Sequence, residues 1–394
     1  MCIRDSYQPE PVTQNYENAL NSIVGANGQI ACAPYTNSTL ATMSATCAPL
    51  NPFGNGQASN AAYRYITTES SQNQQNAQFD IIADIKSKIV TLPAGDVRYV
   101  LGYEHRHEDF HFNPGAFEQG EAMGDGTYQP YGDLIPVMPT SGGFHTHEAF
   151  GELDVPLVSP KMQVMGVYNL AAHAAGRYVY NSVTGGFWTY SAGGAYSPTR
   201  DITFKGNYTR ALRAPSITEL YSPRGSSYDD GADPCSSEFI SSGPNPAIRA
   251  ANCARAGIPS GFQSNINNYT VLGTVSGNSH LQNESADSFE GGFTATPRWV
   301  RGFQLTAMYT NIRIRHEIES LSVGDLMASC YDSPAYPNVI ISGQNMCQQF
   351  TRDSNHQITN FNDGFYNIGQ QEMQGLSAMM AYSLPLRRLG LPDD

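Results

Sequence analysis

The chain has 394 residues and a formal net charge of −13, and only 14% of its residues are charged, against roughly 25% in an average globular chain. Its four lysines, Lys86, Lys88, Lys161 and Lys205, cannot build the basic face that displaces counterions from phosphates, so nucleic acid is not expected as a partner. No stretch reaches the 18 or so consecutive apolar residues of a transmembrane helix; a membrane strand of about 9–11 alternating residues escapes that criterion and stays open.

Gly, Asn, Tyr, Phe, Ser, Thr and Gln stand where charges would be, and these favour strands and turns. At the N-terminus, residues 1–6 match nothing that follows. They resemble a translated adapter scar and are read as non-native, Cys2 with them. Residues 1–25 hold no basic segment followed by an apolar one, so the natural N-terminus is expected upstream. The other cysteines fall into three close pairs, Cys32 with Cys47, Cys235 with Cys253 and Cys330 with Cys347, enclosing 14, 17 and 16 residues. That spacing suits disulfides, each worth roughly 3 kcal/mol in the chain-entropy model, and implies an oxidising compartment. No C-x-x-C is present, so zinc-ribbon and thioredoxin readings lack their ligands.

Alternation of apolar and polar residues predicts strands at about 77–91, 97–112, 144–158, 162–180, 188–196, 201–213, 286–296, 303–317 and 364–384. In 201–213, Ile202, Phe204, Tyr208 and Leu212 oppose Thr203, Lys205, Asn207, Thr209 and Arg213. In the last strand Tyr366, Ile368, Leu376, Ala378, Met380, Tyr382 and Leu384 share a face. Connections alternate in length. Leu92-Pro-Ala-Gly-Asp96, Ser159-Pro-Lys161, Ser197-Pro-Thr-Arg200 and 296–302 are short, whereas 113–143, 214–285 and 318–363 are long, polar and rich in Asn, Gly and Pro, with a short member near 181–186. Following the strands up and down places every short turn at one end and the long loops, with all three cysteine pairs, at the other. This is the pattern of an all-β, antiparallel up-and-down transmembrane β-barrel; a soluble β-sandwich has less reason to segregate loops by parity. Aromatics near strand ends, Tyr99, Tyr103, Phe110, Tyr178, Tyr180, Tyr196 and Tyr208, suit interfacial girdles.

Two segments carry a family resemblance. Tyr208-Thr-Arg-Ala-Leu-Arg-Ala-Pro-Ser-Ile-Thr-Glu-Leu-Tyr221, with Arg213, Ala214, Pro215, Ser216, Glu219 and Leu220, resembles the mid-barrel motif of TonB-dependent outer-membrane receptors. Gly277-Asn-Ser-His-Leu-Gln-Asn-Glu284, with Gly277, Asn278, Leu281 and Glu284, resembles that family's next hallmark, and Ala307–Ile318 the strand after it. The resemblance implies a partial barrel, residues 7–394 supplying about nine of some 22 strands, with extracellular loops at about 7–76, 113–143, 214–285 and 318–363. It implies uptake of a scarce bulky nutrient across a Gram-negative outer membrane, with outer-membrane lipid, a small-molecule substrate and the TonB energy-transducing complex as partners, the last through a TonB box and plug. TonB box, plug and a C-terminal strand ending in an aromatic residue are not in this chain, which therefore reads as an internal fragment. The runner-up readings are a passive porin or adhesin barrel and, after that, a secreted β-rich protein. Within the family resemblance the long loops would recognise ligand.

No enzyme and no cofactor is expected. G-x-S-x-G, P-loop and G-x-G-x-x-G sequences are lacking. His107-Glu-Asp-Phe-His111 fits H-E-x-x-H, but on a strand positions i and i+4 lie about 13 Å apart, too far to share one zinc. His105, His107, His111, His145 and His147 could approach one another across a hairpin, yet they continue the parity of Tyr99, Leu101, Tyr103, Leu153, Val155 and Leu157, the lipid-facing pattern. The better reading is polar residues at the outer rim; a bulge between Tyr103 and His105 would reverse it and favour a metal. Arg98, Glu104, Arg106, Glu108, Glu152 and Asp154 would line the lumen, by default as wall salt bridges, and Arg-Ala-Pro-Ser is read as a structural turn.

Overall fold

A computed structural model describes residues 2–24, 28–33, 47–123, 128–132 and 135–384, the side chains of 2–8 excepted. The expected nine strands are all present, in one sheet of consecutive antiparallel neighbours. A further strand, β1 (Cys2–Pro11), pairs with residues 67–76 of β2 (Thr67–Leu92). Then follow β3 (Gly95–Pro114), β4 (Thr140–Val158), β5 (Asn169–Asn181), β6 (Gly185–Thr199), β7 (Ile202–Arg213), β8 (Glu284–Ala295), β9 (Phe303–Ser320) and β10 (Ile358–Tyr382). No helix among the described residues is long and apolar enough to cross a membrane.

The loop parity is as the sequence implies. Two-residue turns join β2 to β3 and β6 to β7, and segments 159–168 and 296–302 close the same end. The described parts of 115–139, and segments 182–184, 214–283 and 321–357, lie at the other. Strand limits differ, for identifiable reasons. β2 begins at Thr67, ten residues before the expected start, and the segment expected as a loop over 7–76 also holds helices Thr13–Leu20 and Asn60–Ile66. Residues 67–76, TTESSQNQQN, are polar on both faces, so alternation cannot reveal them, and their backbone is satisfied by ladders to β1 and β3. The six N-terminal residues, expected to be foreign, join that ladder from Cys2 onward. β5 begins at Asn169, not 162, because Pro160 opens a short 3-10 turn and Gln163 and Gly166 take positive φ, 52° and 76°, which a strand cannot contain.

The sheet separates its two faces. Exposed Leu101, Tyr103, Leu153, Trp188, Phe204, Phe289, Tyr309 and Leu376 lie on the outward side, and register pairs such as Tyr103 with Ala149 and Phe204 with Phe293 keep them in continuous rows. Two aromatic assignments fail. Phe110 is 2% exposed, on the inward parity with Glu104 and Arg106. Tyr366, expected on the face of Leu376, is fully buried, because register shifts around His316, whose φ is +56°, change the facing beyond Arg315.

The long loops are folded. Segments 214–283 and 321–357 pack together into a cap whose core contains Phe262, Ile266, Leu326, Met327, Met346 and Phe361. Inside it Val271–Ser276 pairs in parallel with β10 and antiparallel with Gly225–Asp229. Helices Pro246–Arg255 and Val323–Tyr331 complete it. Arg352 holds Asp233 at 2.7 Å, and its guanidinium lies over Phe262, Tyr331 and Phe350. All three expected cysteine pairs are bonded: Cys32–Cys47, Cys235–Cys253 and Cys330–Cys347, with Cα–Cα distances of 6.2, 5.6 and 5.0 Å. The last two tie the cap's helices into its core.

Candidate lumenal wall and outer cap

On the inward face the ladder sets Glu104 directly opposite Glu148. Two like charges facing across strands repel, and both are nearly buried, 5% and 6% exposed. Arg177 on β5 resolves the conflict. Its NH1 donates to Glu104 at 2.8 Å and to Glu148 at 2.6 Å, and its guanidinium stacks 4.6 Å from the Phe150 ring centroid. Arg106 adds contacts to Glu104 at 3.3 Å and Glu108 at 3.6 Å, and the Thr146 hydroxyl donates to Glu148 at 3.0 Å. Phe150 can lie flat on the wall because its register partner is Gly102, where a Cβ would fall 2.2 Å from the ring. A hollow of 640 Å³ opens over this network, with Phe144, Phe150, Arg177 and Arg213 in its lining.

Of the six residues expected on the lumenal side, Glu104, Arg106 and Glu108 are brought into this network. Arg98, Glu152 and Asp154 lie further along the same wall, Arg98 opposite Asp154 in register. Sequence reasoning missed Glu148 and Arg177. Glu148 shares the parity of Glu152 and Asp154 and could have been found that way. Arg177 has the parity opposite to Tyr178 and Tyr180 and could have been found the same way.

The Arg-Ala-Pro-Ser segment forms a keystone at the loop end of the wall. Arg213 and Glu284 are register partners; Nε and NH2 of Arg213 donate to Glu284 at 2.6 and 2.7 Å, and the same guanidinium forks onto Glu219 at 3.0 Å twice. Glu219 closes a capping box on the short helix Ile217–Tyr221, Ser216 supplying the other half. Glu284 also accepts from the Ile318 backbone N–H at 2.7 Å. The second hallmark locks onto the first. The Asn278 N–H donates to the Glu219 carbonyl, its side-chain amide donates to Phe365, and Leu220 packs with Leu281, Phe144 and Ile318. At Gly277 a Cβ would meet the Leu220 carbonyl at 2.7 Å. Pro215 needs no contact of its own, since it ends β7 by lacking a donor.

Arg352 is held protonated through its Asp233 partner against the opposing cost of burial. In the cap, burial pushes the Asp363 carboxyl up to about 6, with Asp229 adding to the shift and the Gly364 and Leu321 backbone opposing it.

The five histidines face outward. The register from Tyr103 through His111 is continuous, with no bulge at His105. His107 and His111 sit on a strand, so the H-E-x-x-H spacing forms no zinc pair. Among the described residues no group of three or more His, Cys, Asp or Glu is arranged to hold a metal.

A family model described as "TonB dependent receptor-like, beta-barrel" matches residues 12–391. No curated protein matches the sequence. Among solved structures, the ferric enterobactin receptor of Pseudomonas aeruginosa in complex with enterobactin is 14% identical with a TM-score of 0.45, the alignment covering 84% of this chain and 35% of that one. The siderophore receptor PirA from Acinetobacter baumannii is 12% identical, TM-score 0.44, over 86% and 36%. The FrpB iron transporter from Neisseria meningitidis is 11% identical, TM-score 0.37, over 81% and 34%. This chain thus spans about a third of the length of these structures.

Proposed function

The chain belongs to the TonB-dependent receptor β-barrel family, and on that premise we propose that it forms part of the wall and outer cap of a receptor that carries a scarce, bulky nutrient across a Gram-negative outer membrane. The reading extends to residues 7–394 as one stretch of barrel and to a plug and TonB box elsewhere in the protein, through which the TonB complex supplies energy. Siderophore, haem, cobalamin and oligosaccharide are the substrate classes it covers. No catalytic role is assigned.

The observation that carries this reading is the division of one sheet into an apolar outward face and an inward face that carries the charged side chains, with Arg177 and Arg106 pairing there with Glu104, Glu148 and Glu108. Outward rows of Leu, Tyr and Phe suit acyl chains. Inward, each carboxylate on this part of the wall thus has a guanidinium partner. Arg213 ties the last turn of β7 to β8 where the cap begins, which makes it a positioning residue between wall and cap. The cap, cross-linked and hydrophobic at its centre, would present a stable ligand-facing surface.

The experiment is nutrient-limited growth of a strain whose only copy of the full-length receptor is under control, with and without a functional TonB complex. The reading expects growth on at least one chelated-iron, haem, cobalamin or oligosaccharide source to require both. Equal growth without TonB would replace it with passive diffusion.

A further inference from the structure

On the outward face, β3 and β4 carry His105, His107, His145 and His147 immediately beyond an aromatic belt formed by Tyr103, Tyr178 and Trp188. His105 and His147 are register partners with stacked rings, centroids 4.5 Å apart, and His145 meets His147 edge-on at 5.5 Å. Their inner nitrogens are committed. His105 Nδ1 donates to the Thr146 carbonyl at 2.9 Å, and His147 Nδ1 shares a 2.6 Å hydrogen bond with the Tyr103 hydroxyl. Among the described residues the Nε2 atoms of both rings have no hydrogen-bond partner.

Few carboxylates face this patch. Asp109 is the carboxylate on this face of β3, and it is taken by His107 at 2.8 Å. β2 contributes apolar Phe79 and Ile81 opposite His107 and His105, and β5 contributes Tyr180 opposite His147 and Tyr178 one row below. Glu104 and Glu148 point to the other side. With its Nδ1 accepting from the Tyr103 hydroxyl, His147 presents Nε2 as an N–H donor toward an anion outside the sheet.

We propose that His105, His145 and His147 form a binding site for the phosphate of an outer-leaflet lipid headgroup. The place fits a lipid and not a free solute, because the belt of Tyr103, Tyr178 and Trp188 just below supplies the apolar contact that acyl chains need. This inference rests on the outward face being in the membrane.

The test uses the full-length receptor in nanodiscs containing bis-phosphorylated lipid A, dephosphorylated lipid A or phosphatidylcholine, with bound lipid counted by native mass spectrometry. Retention of the phosphorylated lipid should fall at least fivefold in the combined His105→Gln, His145→Gln, His147→Gln variant, while dephosphorylated lipid is unaffected. His173→Gln, on the inward face of β5, should change neither. The unaltered protein should retain phosphorylated lipid at least fivefold over dephosphorylated lipid, a readout that stands if the triple variant does not fold. Equal retention of phosphorylated and dephosphorylated lipid would overturn the proposal. Release of the lipid by millimolar inorganic phosphate would reassign the site to a soluble anion and overturn the lipid assignment. A protein that never enters the bilayer would instead refute the membrane reading itself.

Discussion

Arg213 and Glu284 face each other at the last register position of β7 and β8, joined by hydrogen bonds of 2.6 and 2.7 Å, and the same guanidinium holds Glu219 on the adjoining helix. One cation therefore fastens a strand pair, a capped helix and, through Asn278 on the Glu219 carbonyl, the second hallmark segment.

Replacing that cation should loosen all three. Arg213→Ala leaves Glu219 and Glu284 facing without a partner. Because the arginine is half exposed, the cost falls below the 3–5 kcal/mol of a fully buried pair, at about 1–2 kcal/mol. Arg213→Lys, which cannot fork onto two carboxylates, should recover less than half of it. Urea unfolding followed by heat-modifiable mobility measures both. An unchanged midpoint for Arg213→Ala would remove the keystone role.

Arg177 sits deeper. Arg177→Leu leaves two nearly buried carboxylates opposed and should cost about 3–5 kcal/mol, whereas Arg177→Leu combined with Glu104→Gln and Glu148→Gln should regain most of that loss. The check is a mutant cycle in the same unfolding assay; additive losses would mean that the three side chains do not act as a unit.

Cap and wall should respond separately to reduction. Cys330→Ser with Cys347→Ser removes a cross-link worth about 3 kcal/mol in the chain-entropy model. Hydrogen exchange at Val323–Tyr331 should speed up at least tenfold while β3, β4 and β5 keep their protection. Uniform acceleration across the sheet would show that cap and wall open together.

The cap should also depend on pH. Asp363 is pushed up to about 6 by burial, so the folded cap binds its proton more tightly than the unfolded chain does. Stability from this group is therefore fully present below the ordinary carboxylate range and is lost as pH rises through about 6. Hydrogen exchange in Val271–Ser276 should quicken between pH 4 and 7 after correction for intrinsic rates, and Asp363→Asn should flatten that dependence. A stability that rises over the same window would contradict the assignment.

The nine strands were legible because a sheet with one apolar face must alternate, and Ile202 through Thr209 does so with only Gly206 lacking an apolar side chain on that face. Alternation fails where water bathes both faces, which is why Thr67–Asn76 looked like loop and why Tyr366 was misplaced beyond the bulge at His316. The cap was illegible for a different reason. Ile266 stands alone in a polar segment, Leu326 and Met327 sit on one nine-residue helix and Phe361 on the start of β10, and only their three-dimensional meeting makes them a core. At the site, parity locates Glu104, Arg106 and Glu108 and equally sets Arg177 opposite to Tyr178 and Tyr180; what alternation does not supply is the meeting of these side chains across β3, β4 and β5. The motif residues Arg213, Glu219 and Glu284 were visible as a resemblance, and their mutual contacts supply its physical reason.

The most direct test of the central claim places single spin labels at Tyr99, Val100, Leu101, Gly102 and Tyr103 of the full-length receptor in bilayers and compares collision with oxygen, which partitions into lipid, and with a water-soluble nickel chelate. The account predicts that Tyr99, Leu101 and Tyr103 favour oxygen and that Val100 and Gly102 favour the chelate. Chelate access at the odd positions equal to that at the even ones would show that this face meets water, and the sheet would not be a membrane wall.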